Sequence, residues 1–425
     1  ATKEEVRLPT PHDLITQEHV LNVLKADRGT DAQLISWEIK DFTKKGDNMA
    51  TFVTSVIVSY TEKGKSGKVS YAVKLNPCRN IKELDSSLPK IFTKEISFYY
   101  KFAPKLNSVL ESVGQPPLRI PKCFHFNKEV GKEAIFLEDL RSRGFRMTEA
   151  GLSGVNFSHT MLLLKEVARL HASSWVLQQK RHDRDLGEEF EFLKLGFTKP
   201  SDAESHFFSK MTMRGNNVAI TMLEHIGGYQ KVVDWIKMHK ASFMDIMQSM
   251  LKSSPPFDVA CHGDLHVNNT LFRYDDDGNP VEIMLLDHQV NRIASLATDL
   301  NYFLFLNLTG EVRGPNLETF LQTYYDTFKE IVERSGEELT FSLEEFRQEF
   351  RNKHCMALVF ALFLSPLLVT QTEDFPDASE FFGNTSEDVT EKERENILKA
   401  FDTNEALRKK LLSVFDEMEA VGVFD

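Results

Sequence analysis

A short polar stretch, Cys261–Phe272 (CHGDLHVNNTLF), constrains this chain more than any other part of it. Residues 262–269 hold two histidines, one aspartate and two asparagines, and an apolar run follows at once. Polar side chains beside a core are costly unless something binds them. Three interpretations are open at this point: a zinc cluster, a loop that handles phosphate, or a polar turn without chemistry.

The residues after this stretch predict a β-hairpin. Thr270–Tyr274 is followed by the turn residues DDDGNP, then by a second apolar run, Val281–Leu286, and by Asp287. Asn269 and Asp287 each lie nine positions from Gly278, so a turn centred there returns both side chains to neighbouring positions. Residues paired on adjacent strands are roughly 4.5–5.5 Å apart. An amide oxygen and a carboxylate at that spacing suit a hard cation such as Mg²⁺.

The two other interpretations fit less well. His262 and His266 have the i, i+4 spacing of a helical zinc pair, but Gly263 and the strand that follows argue against a helix. The sequence offers no obvious third soft ligand. A polar turn without chemistry would leave the equal spacing about Gly278 as a coincidence.

The first third of the chain has a β pattern with one helix inserted. Thr51–Tyr60 and Val69–Leu75 are β-branched and apolar and predict a hairpin, and Glu133–Leu140 predicts a further strand. Pro89–Leu106 has helical periodicity, and Glu95 falls on its apolar stripe. A carboxylate on an apolar face usually needs a cation.

Long helical patterns follow. They occupy Ser158–Val176, Asn316–Arg334 and Glu391–Met418, and Ser342 with Glu345 forms a capping-box pair ahead of another helix. The sequence therefore predicts an α+β protein with a small β-rich lobe at residues 1–139 and a large, mostly helical lobe at residues 140–425.

Charge and cysteine content exclude several function classes. The net charge of −12 argues against a nucleic-acid-binding protein. Four widely spaced cysteines without a Cys-x-x-Cys pair predict reduced thiols, and the polar N-terminus has no apolar signal core. Met356–Val369 is apolar but short for a membrane span and contains a proline, so it predicts a buried helix. We expect a cytoplasmic protein without membrane association, a monomer or weak homodimer.

Several motifs, taken together, resemble one family. HGDLHVNN resembles the HGDxxxxN loop of the aminoglycoside phosphotransferase and choline kinase-like superfamily, distant relatives of protein kinases. CHGDLHVNNTLF, the Asp-His-Gln stretch at Asp287, SLATDLNYFLF, FLEDL and KEISFYYKFAPKL resemble the ecdysteroid kinase-like family of insects and crustaceans. The resemblance covers nearly the full length, and it implies a two-lobed, protein kinase-like fold with an N-terminal nucleotide-binding lobe and a C-terminal catalytic and substrate-binding lobe.

The resemblance also implies roles for individual residues. Asp264 would orient the acceptor hydroxyl and accept its proton. Lys74 would pair with the α- and β-phosphates of ATP and Glu95 would position that lysine, while Asn269 and Asp287 would hold Mg²⁺.

Further residues are implied around the nucleotide. The adenine would lie between Ala72 and Leu271, with hydrogen bonds from the backbone of Glu138 and Leu140. The loop over the phosphates would include Gly46, Asp47 and Asn48. Asp299 would brace the catalytic loop.

The chain departs from its relatives at three places. The loop at Gly46–Thr51 has one glycine where protein kinases have three, and His288 stands where the family more often has phenylalanine. His266 lies where protein kinases carry a lysine near the γ-phosphate. Two interpretations are open: that His266 contacts phosphate, and that it is an ordinary loop histidine.

The sequence also narrows the range of molecules that could accept the phosphoryl group. Twelve positions separate Asp287 from Asp299, too few for the long segment that holds a peptide in protein kinases. Leu186–Pro256 and Glu338–Thr390, which build the substrate pocket in relatives, carry many Phe, Met and Leu. This favours an ATP-dependent kinase of an apolar small-molecule alcohol, most simply an ecdysteroid-like steroid or a xenobiotic. The alternatives are a choline- or aminoglycoside-type kinase and an inactive nucleotide-binding scaffold.

Overall fold

The computed structural model describes residues 10–41, 51–78, 88–181, 185–194, 203–370 and 389–425. Gly46, Asp47 and Asn48 lie outside these residues. Internal contacts divide the chain into an N-terminal unit, Ala1–Pro104 with Arg119–Arg146 and Met284–Gln289, and a C-terminal unit that contains the rest. The boundary predicted between residues 139 and 140 falls seven residues before Arg146, where the segment Arg119–Arg146 of the N-terminal unit ends. The functional division into two lobes stays a prediction.

The N-terminal unit is built on a five-stranded antiparallel sheet in the order β1-β2-β3-β5-β4. The predicted hairpin is confirmed as β2 and β3, which pair from Phe52 opposite Leu75 to Glu62 opposite Lys65. The strands are β1 (Gln33–Lys40), β2 (Phe52–Glu62), β3 (Lys65–Leu75), β4 (Cys123–Asn127) and β5 (Ala134–Glu138).

Two helices cover this sheet. Helix α1 (Gln17–Arg28) begins where the Thr16 side chain accepts a hydrogen bond from the His19 N–H, and it packs its buried valines and leucine against the β2–β3–β5 core. Helix α2 (Leu88–Ser97) packs Phe92 and Ile96 against Ile135 of β5. It continues through a π-helical turn, Phe98–Phe102, into α3 (Ala103–Ser112). The predicted helix at 89–106 is thus one helical stretch with a local widening.

The C-terminal unit is mainly helical. Besides α3 from Lys105 on, its helices are α4 (Phe157–Gln179), α5 (Leu186–Glu189), α6 (Ala203–Ile226), α7 (Gln230–His239), α8 (Phe243–Met250), α9 (Leu296–Asn307), α10 (Gly310–Arg334), α11 (Leu343–Asn352), α12 (His354–Thr370), α13 (Glu391–Thr403) and α14 (Glu405–Ala420). The capping box of Ser342 and Glu345 is present at the start of α11. The α+β class, with a small antiparallel sheet near the N-terminus and a helical C-terminal part, is confirmed.

Two short sheets lie near the polar stretch. Strand β6 (Asp258–Cys261) pairs antiparallel with β9 (Arg292–Ser295). The hairpin predicted around Gly278 is present as β7 (Thr270–Tyr274) and β8 (Pro280–Leu285). Its turn is closed by the Asp275 N–H, which donates to the Asn279 carbonyl at 3.0 Å.

The apolar run at 356–369 lies in α12, whose residues Met356–Val359 are all fully buried in the C-terminal unit. The expectation of a buried helix is therefore correct. Across the described part of the chain, no helix combines the length and apolarity needed to cross a membrane.

Candidate functional site

Lys74 lies at the centre of a buried charge cluster in the N-terminal unit. Strand β3 places it opposite Val53 and Ile135, and helix α2 brings Glu95 to it. The Lys74 ammonium donates to Glu95 Oε2 at 2.5 Å and to Asp287 Oδ1. Glu95 is the carboxylate that stood unexplained on the apolar stripe of the predicted helix, and Lys74 is its counter-ion.

One cation therefore serves two carboxylates in this cluster. Burial opposes the charge on Lys74, but Asp287 and Glu95 outweigh it and raise the pKa of Lys74 above its ordinary value. Burial, with the nearby charge of Asp287, raises the pKa of Glu95 despite its bond to Lys74. The Glu95 side chain is 1% exposed and that of Asp287 is 23% exposed. The accessible carboxylate is thus the one that can exchange its partner for another cation.

His288 keeps the packing of an aromatic residue. The ring is fully buried and stacks on Phe98, with centroids 3.7 Å apart and planes 8° from parallel, and it meets Tyr99 edge-on. Asp287, just before it, has a φ of 65°, a left-handed conformation that is uncommon outside glycine. The stack anchors this strained turn to the helical stretch that continues from Glu95.

The residues expected around adenine are distributed over both units. Ala72 is half-buried on β3. The Glu138 N–H donates to the Lys122 carbonyl at 2.8 Å, so that group is engaged within the unit. Leu140 is buried and begins a short 3₁₀ turn capped by Asp139. Leu271, on β7, belongs to the C-terminal unit.

Asp264 is held by two donors in the C-terminal unit. The Tyr302 hydroxyl donates to Asp264 Oδ1 at 2.6 Å, and the Asn269 amide nitrogen donates to Oδ2 at 2.9 Å. Burial, and then the Asp264 charge, raise the pKa of Tyr302, so the phenol stays protonated and remains a donor. The carboxylate is therefore fixed in orientation and remains half-buried.

Asn269 is oriented by the same loop. Its amide nitrogen also donates to the Asp264 carbonyl at 3.0 Å, which directs the amide oxygen away from both acceptors. That oxygen is a hard donor of the kind Mg²⁺ prefers, as is the Asp287 carboxylate. The donor set fits the ion. Asn269 and Asp287 lie in different units, and their joint binding of a metal stays a prediction.

Asp299 holds the backbone before Asp264. Its carboxylate accepts from the N–H groups of His262 at 2.6 Å and Gly263 at 3.0 Å, as expected for a bracing residue. Gly263 has a φ of 88°, and a Cβ there would lie 2.4 Å from the Val290 carbonyl oxygen. Glycine is therefore required at this position.

Asn307, the last residue of α9, holds the backbone after Asp264. Its side chain accepts from the Val267 N–H at 2.8 Å and donates to the Leu265 carbonyl at 3.3 Å. Sequence reasoning gave no role to Asn307 or to Tyr302. Tyr302 follows Asp299 by three residues, so both lie on one face of α9, and this spacing is the signal that could have found it.

His266 is a neutral loop histidine. Burial lowers the pKa of His266 to about 4, and its Nδ1 accepts from the Asn268 N–H at 3.2 Å. The neighbouring Asp264 opposes this lowering and Lys410 adds to it. The ring therefore lacks the charge of a lysine, and its contact with phosphate stays a prediction.

A second cluster has the composition of a metal site. His171, Cys261 and Asp299 are buried, with potential ligand atoms within 4.8 Å of one another. His171 already bonds Tyr324 at 2.7 Å and Asp299 at 3.1 Å, and the Cys261 thiol contacts the Ala294 carbonyl at 3.5 Å. These hydrogen bonds make the cluster a support for the Asp264 loop.

Comparison with known proteins places these features in context. The sequence model of the ecdysteroid kinase-like family matches residues 45–337. No curated protein matches the chain. Similar solved structures include an ethanolamine kinase from Plasmodium vivax, with a TM-score of 0.38 and 14% identity over 88% of this chain and 83% of that one. Wild-type aminoglycoside 2'-phosphotransferase-IIIa in complex with GDP has a TM-score of 0.38 and 12% identity over 90% and 99% of the two chains.

Proposed function

The chain belongs to the ecdysteroid kinase-like family and is a phosphotransferase with an alcohol group as acceptor, and from this premise we propose that it phosphorylates a sizeable apolar alcohol with ATP. The acceptor class is an ecdysteroid-like steroid or a xenobiotic. The observation that carries the proposal is the Asp264 carboxylate, fixed by Tyr302 and Asn269 in a braced loop and still half-buried.

In this proposal residues of the N-terminal unit, together with Leu271 of the C-terminal unit, bind the nucleotide. Lys74 pairs with the α- and β-phosphates, and Glu95 keeps the ammonium in place because it is buried beside it. Ala72 and Leu271 would contact the adenine, which would form hydrogen bonds with the backbone of Glu138 and Leu140. Gly46, Asp47 and Asn48 would cover the phosphates.

Asn269 and Asp287 would hold Mg²⁺. The ion, when bound, neutralises phosphate charge that develops during transfer. In the structure described, Asp287 bonds Lys74. Phosphate oxygens would take over this lysine and leave the Asp287 carboxylate to the metal.

Asp264 orients the acceptor. Its carboxylate accepts a hydrogen bond from the alcohol, whose oxygen attacks the γ-phosphorus while the bond to the β-phosphate oxygen breaks. The alcohol proton passes to Asp264, and ADP and the phosphate ester are released. Transfer of this kind has a loose transition state, so positioning contributes more than early proton removal. The donors Tyr302 and Asn269 favour such a fixed carboxylate.

Aromatic packing supports an apolar acceptor over a cationic one. A quaternary amine needs aromatic faces that are free to surround it. Trp175 is buried and donates to the Pro256 carbonyl at 2.9 Å, while Trp235 packs against His239, Phe243 and Phe424. These rings are already used in packing.

The proposal extends to the setting of the reaction. All four cysteines are free thiols, which suits the cytoplasm. We expect the protein to act there as a monomer or weak homodimer.

A panel of steroid, xenobiotic, sugar and choline-type alcohols with labelled ATP tests the proposal. We expect Mg²⁺-dependent phosphate esters from apolar alcohols, detected by mass spectrometry, and at least a hundredfold less product with Asp264→Asn. Preferential phosphorylation of choline or a sugar would refute the acceptor class. Nucleotide binding without transfer to any alcohol would favour the inactive scaffold.

A further inference from the structure

Arg292, the first residue of β9, is a buried cation that contacts the backbone beside Asp264. The residue is 6% exposed, and its Nη1 donates to the Gly263 carbonyl at 3.2 Å. Its Nε is buried and has no hydrogen-bond partner. In the part of the chain that the structure describes, its guanidinium forms no ion pair. The bond to Gly263 is the contact that the structure gives this charge.

This arrangement is unusual for a buried arginine. Arg313, in the same unit, is also buried, but it binds the Glu417 carboxylate through Nε at 2.8 Å and Nη2 at 2.6 Å. Burial of a charge that is not paired is costly. A neutral donor can hold a carbonyl, as the neighbouring Asn291 shows by donating to the Cys261 carbonyl at 3.0 Å. The charge at Arg292 therefore needs an explanation beyond the hydrogen bond alone.

Gly263 is the point at which the Asp264 loop needs support from outside. Its φ of 88° lies in a region that glycine enters freely, and without a Cβ the peptide that joins it to Asp264 can rotate at little cost. Asp299 accepts from the Gly263 N–H at 3.0 Å, and Arg292 donates to the Gly263 carbonyl. Arg292 Nη1 also lies 2.7 Å from where a Gly263 Cβ would be, so it occupies the space that the missing side chain leaves.

Gly263 is thus held by a carboxylate at its amide and by a guanidinium at its carbonyl. Burial opposes the charge of Asp299, but the bond and charge of His171, with the charge of Arg292, outweigh it and keep the pKa of Asp299 below its ordinary value. Hydrogen bonds in which one partner is charged are stronger than neutral ones. Opposite charges on the two sides of Gly263 therefore hold it more firmly than neutral groups would.

We propose that Arg292 is a positioning residue for phosphoryl transfer, because it locks the Gly263–Asp264 peptide in the orientation that directs the Asp264 carboxylate to the acceptor alcohol. The proposal rests on the proposed function, in which Asp264 orients that alcohol. Rotation of this peptide would move the carboxylate relative to the Tyr302 hydroxyl that holds it at 2.6 Å. A displacement of about 1 Å in a reacting group can lower a rate by about a hundredfold.

Arg292→Met tests this, because it removes the donor and the charge but keeps a long side chain. Single-turnover transfer to the apolar alcohol that the wild-type protein phosphorylates fastest should fall by at least about tenfold, with Mg-ATP affinity by calorimetry changed by less than about twofold. Hydrogen exchange followed by mass spectrometry should become faster in the peptide that covers residues 261–266. Calorimetry and exchange need no acceptor.

Two further variants serve as controls. Arg292→Lys keeps a charged donor and should recover part of the rate and of the exchange protection that Arg292→Met loses. Arg273, on β7 of the same unit, is exposed and pairs with Glu282 at 3.2 Å. Arg273→Met should therefore change neither the transfer rate nor the exchange of residues 261–266.

Several results would overturn the proposal. An unchanged transfer rate in Arg292→Met, or unchanged exchange of residues 261–266, would do so. Equal losses of rate and ATP affinity, with faster exchange throughout the C-terminal unit, would show a structural residue instead. If Arg292→Met does not fold, the same criteria apply to Arg292→Gln, which is uncharged and shorter but still polar. A wild-type protein that phosphorylates no alcohol would refute the proposed function, and with it any role of Arg292 in transfer.

Discussion

Lys74→Met removes the cation that Glu95 and Asp287 share. Methionine matches the lysine stem in length and fits the buried site, so the change is mainly one of charge. Glu95, 1% exposed, would then carry a negative charge without the Lys74 ammonium beside it, whereas Asp287, 23% exposed, retains water. Most of the destabilisation should therefore come from Glu95.

The expected loss is large because breaking one side of a buried ion pair typically costs about 3–5 kcal/mol. Lys132→Met is the matched control in the same unit. Lys132 pairs with Glu129 at 2.7 Å, but both side chains are 60% exposed, and such pairs contribute about 0–1 kcal/mol. The double variant Lys74→Met/Glu95→Gln should be more stable than Lys74→Met alone, since it removes the orphaned charge.

The loss should also depend on pH. Burial raises the pKa of Glu95 above its ordinary value of 4.5, and loss of Lys74 would raise it further. The folded variant therefore holds a proton that the unfolded chain releases above about pH 4.5, so its stability falls as the pH rises. The difference from wild type should be smaller at pH 5 than at pH 8.

Urea denaturation at the two pH values measures the free energy of unfolding, and hydrogen exchange followed by mass spectrometry locates the change in the N-terminal unit. Equal, small losses in Lys74→Met and Lys132→Met would refute the buried-pair argument. A loss that grew toward acid pH would show that Glu95 is not the group left uncompensated.

Three further substitutions test the Asp264 loop. Asp264→Asn should bind Mg-ATP with near-normal affinity by calorimetry but lose at least about a hundredfold in single-turnover rate, and loss of ATP binding would make Asp264 a metal ligand or fold element instead. Tyr302→Phe should lower kcat by about tenfold without changing the KM for ATP. Its control is Tyr325→Phe, which removes a hydroxyl that donates to the Phe341 carbonyl at 3.0 Å and should leave both constants unchanged. Gly263→Ala should lower the melting temperature because its φ of 88° and the Val290 carbonyl at 2.4 Å leave no place for a Cβ, and normal stability would refute that account.

The sequence correctly predicted the strands in which apolar and polar side chains alternate and the helices in which apolar side chains recur at helical spacing. The β2–β3 and β7–β8 hairpins and helices α4, α10 and α11 are of this kind. Strands β1 and β4 escaped detection because they are edge strands with mixed exposure and little apolar alternation. The helix predicted at 391–418 is two helices, since Asn404 caps the start of α14 inside an otherwise continuous pattern.

The site could be predicted from the sequence where a charge on an apolar face required a partner of opposite charge. Glu95 on an apolar stripe needed a cation, and Lys74 supplies it. Tyr302 and Asn307 were not predicted because their roles depend on contacts between segments far apart in the chain. No local periodicity reports such contacts.

The geometry of Gly263 bears on how divergent members of the family should be interpreted. Its backbone conformation and lack of space for a Cβ are demands of folding, as are the two hydrogen bonds that Asp299 accepts. A descendant that had lost catalysis would remain under selection to keep both residues while its Asp264 drifted. Gly263 and Asp299 in a related sequence therefore indicate the inherited loop backbone, and the residue at the Asp264 position has to be examined separately before such a sequence is taken for a working enzyme.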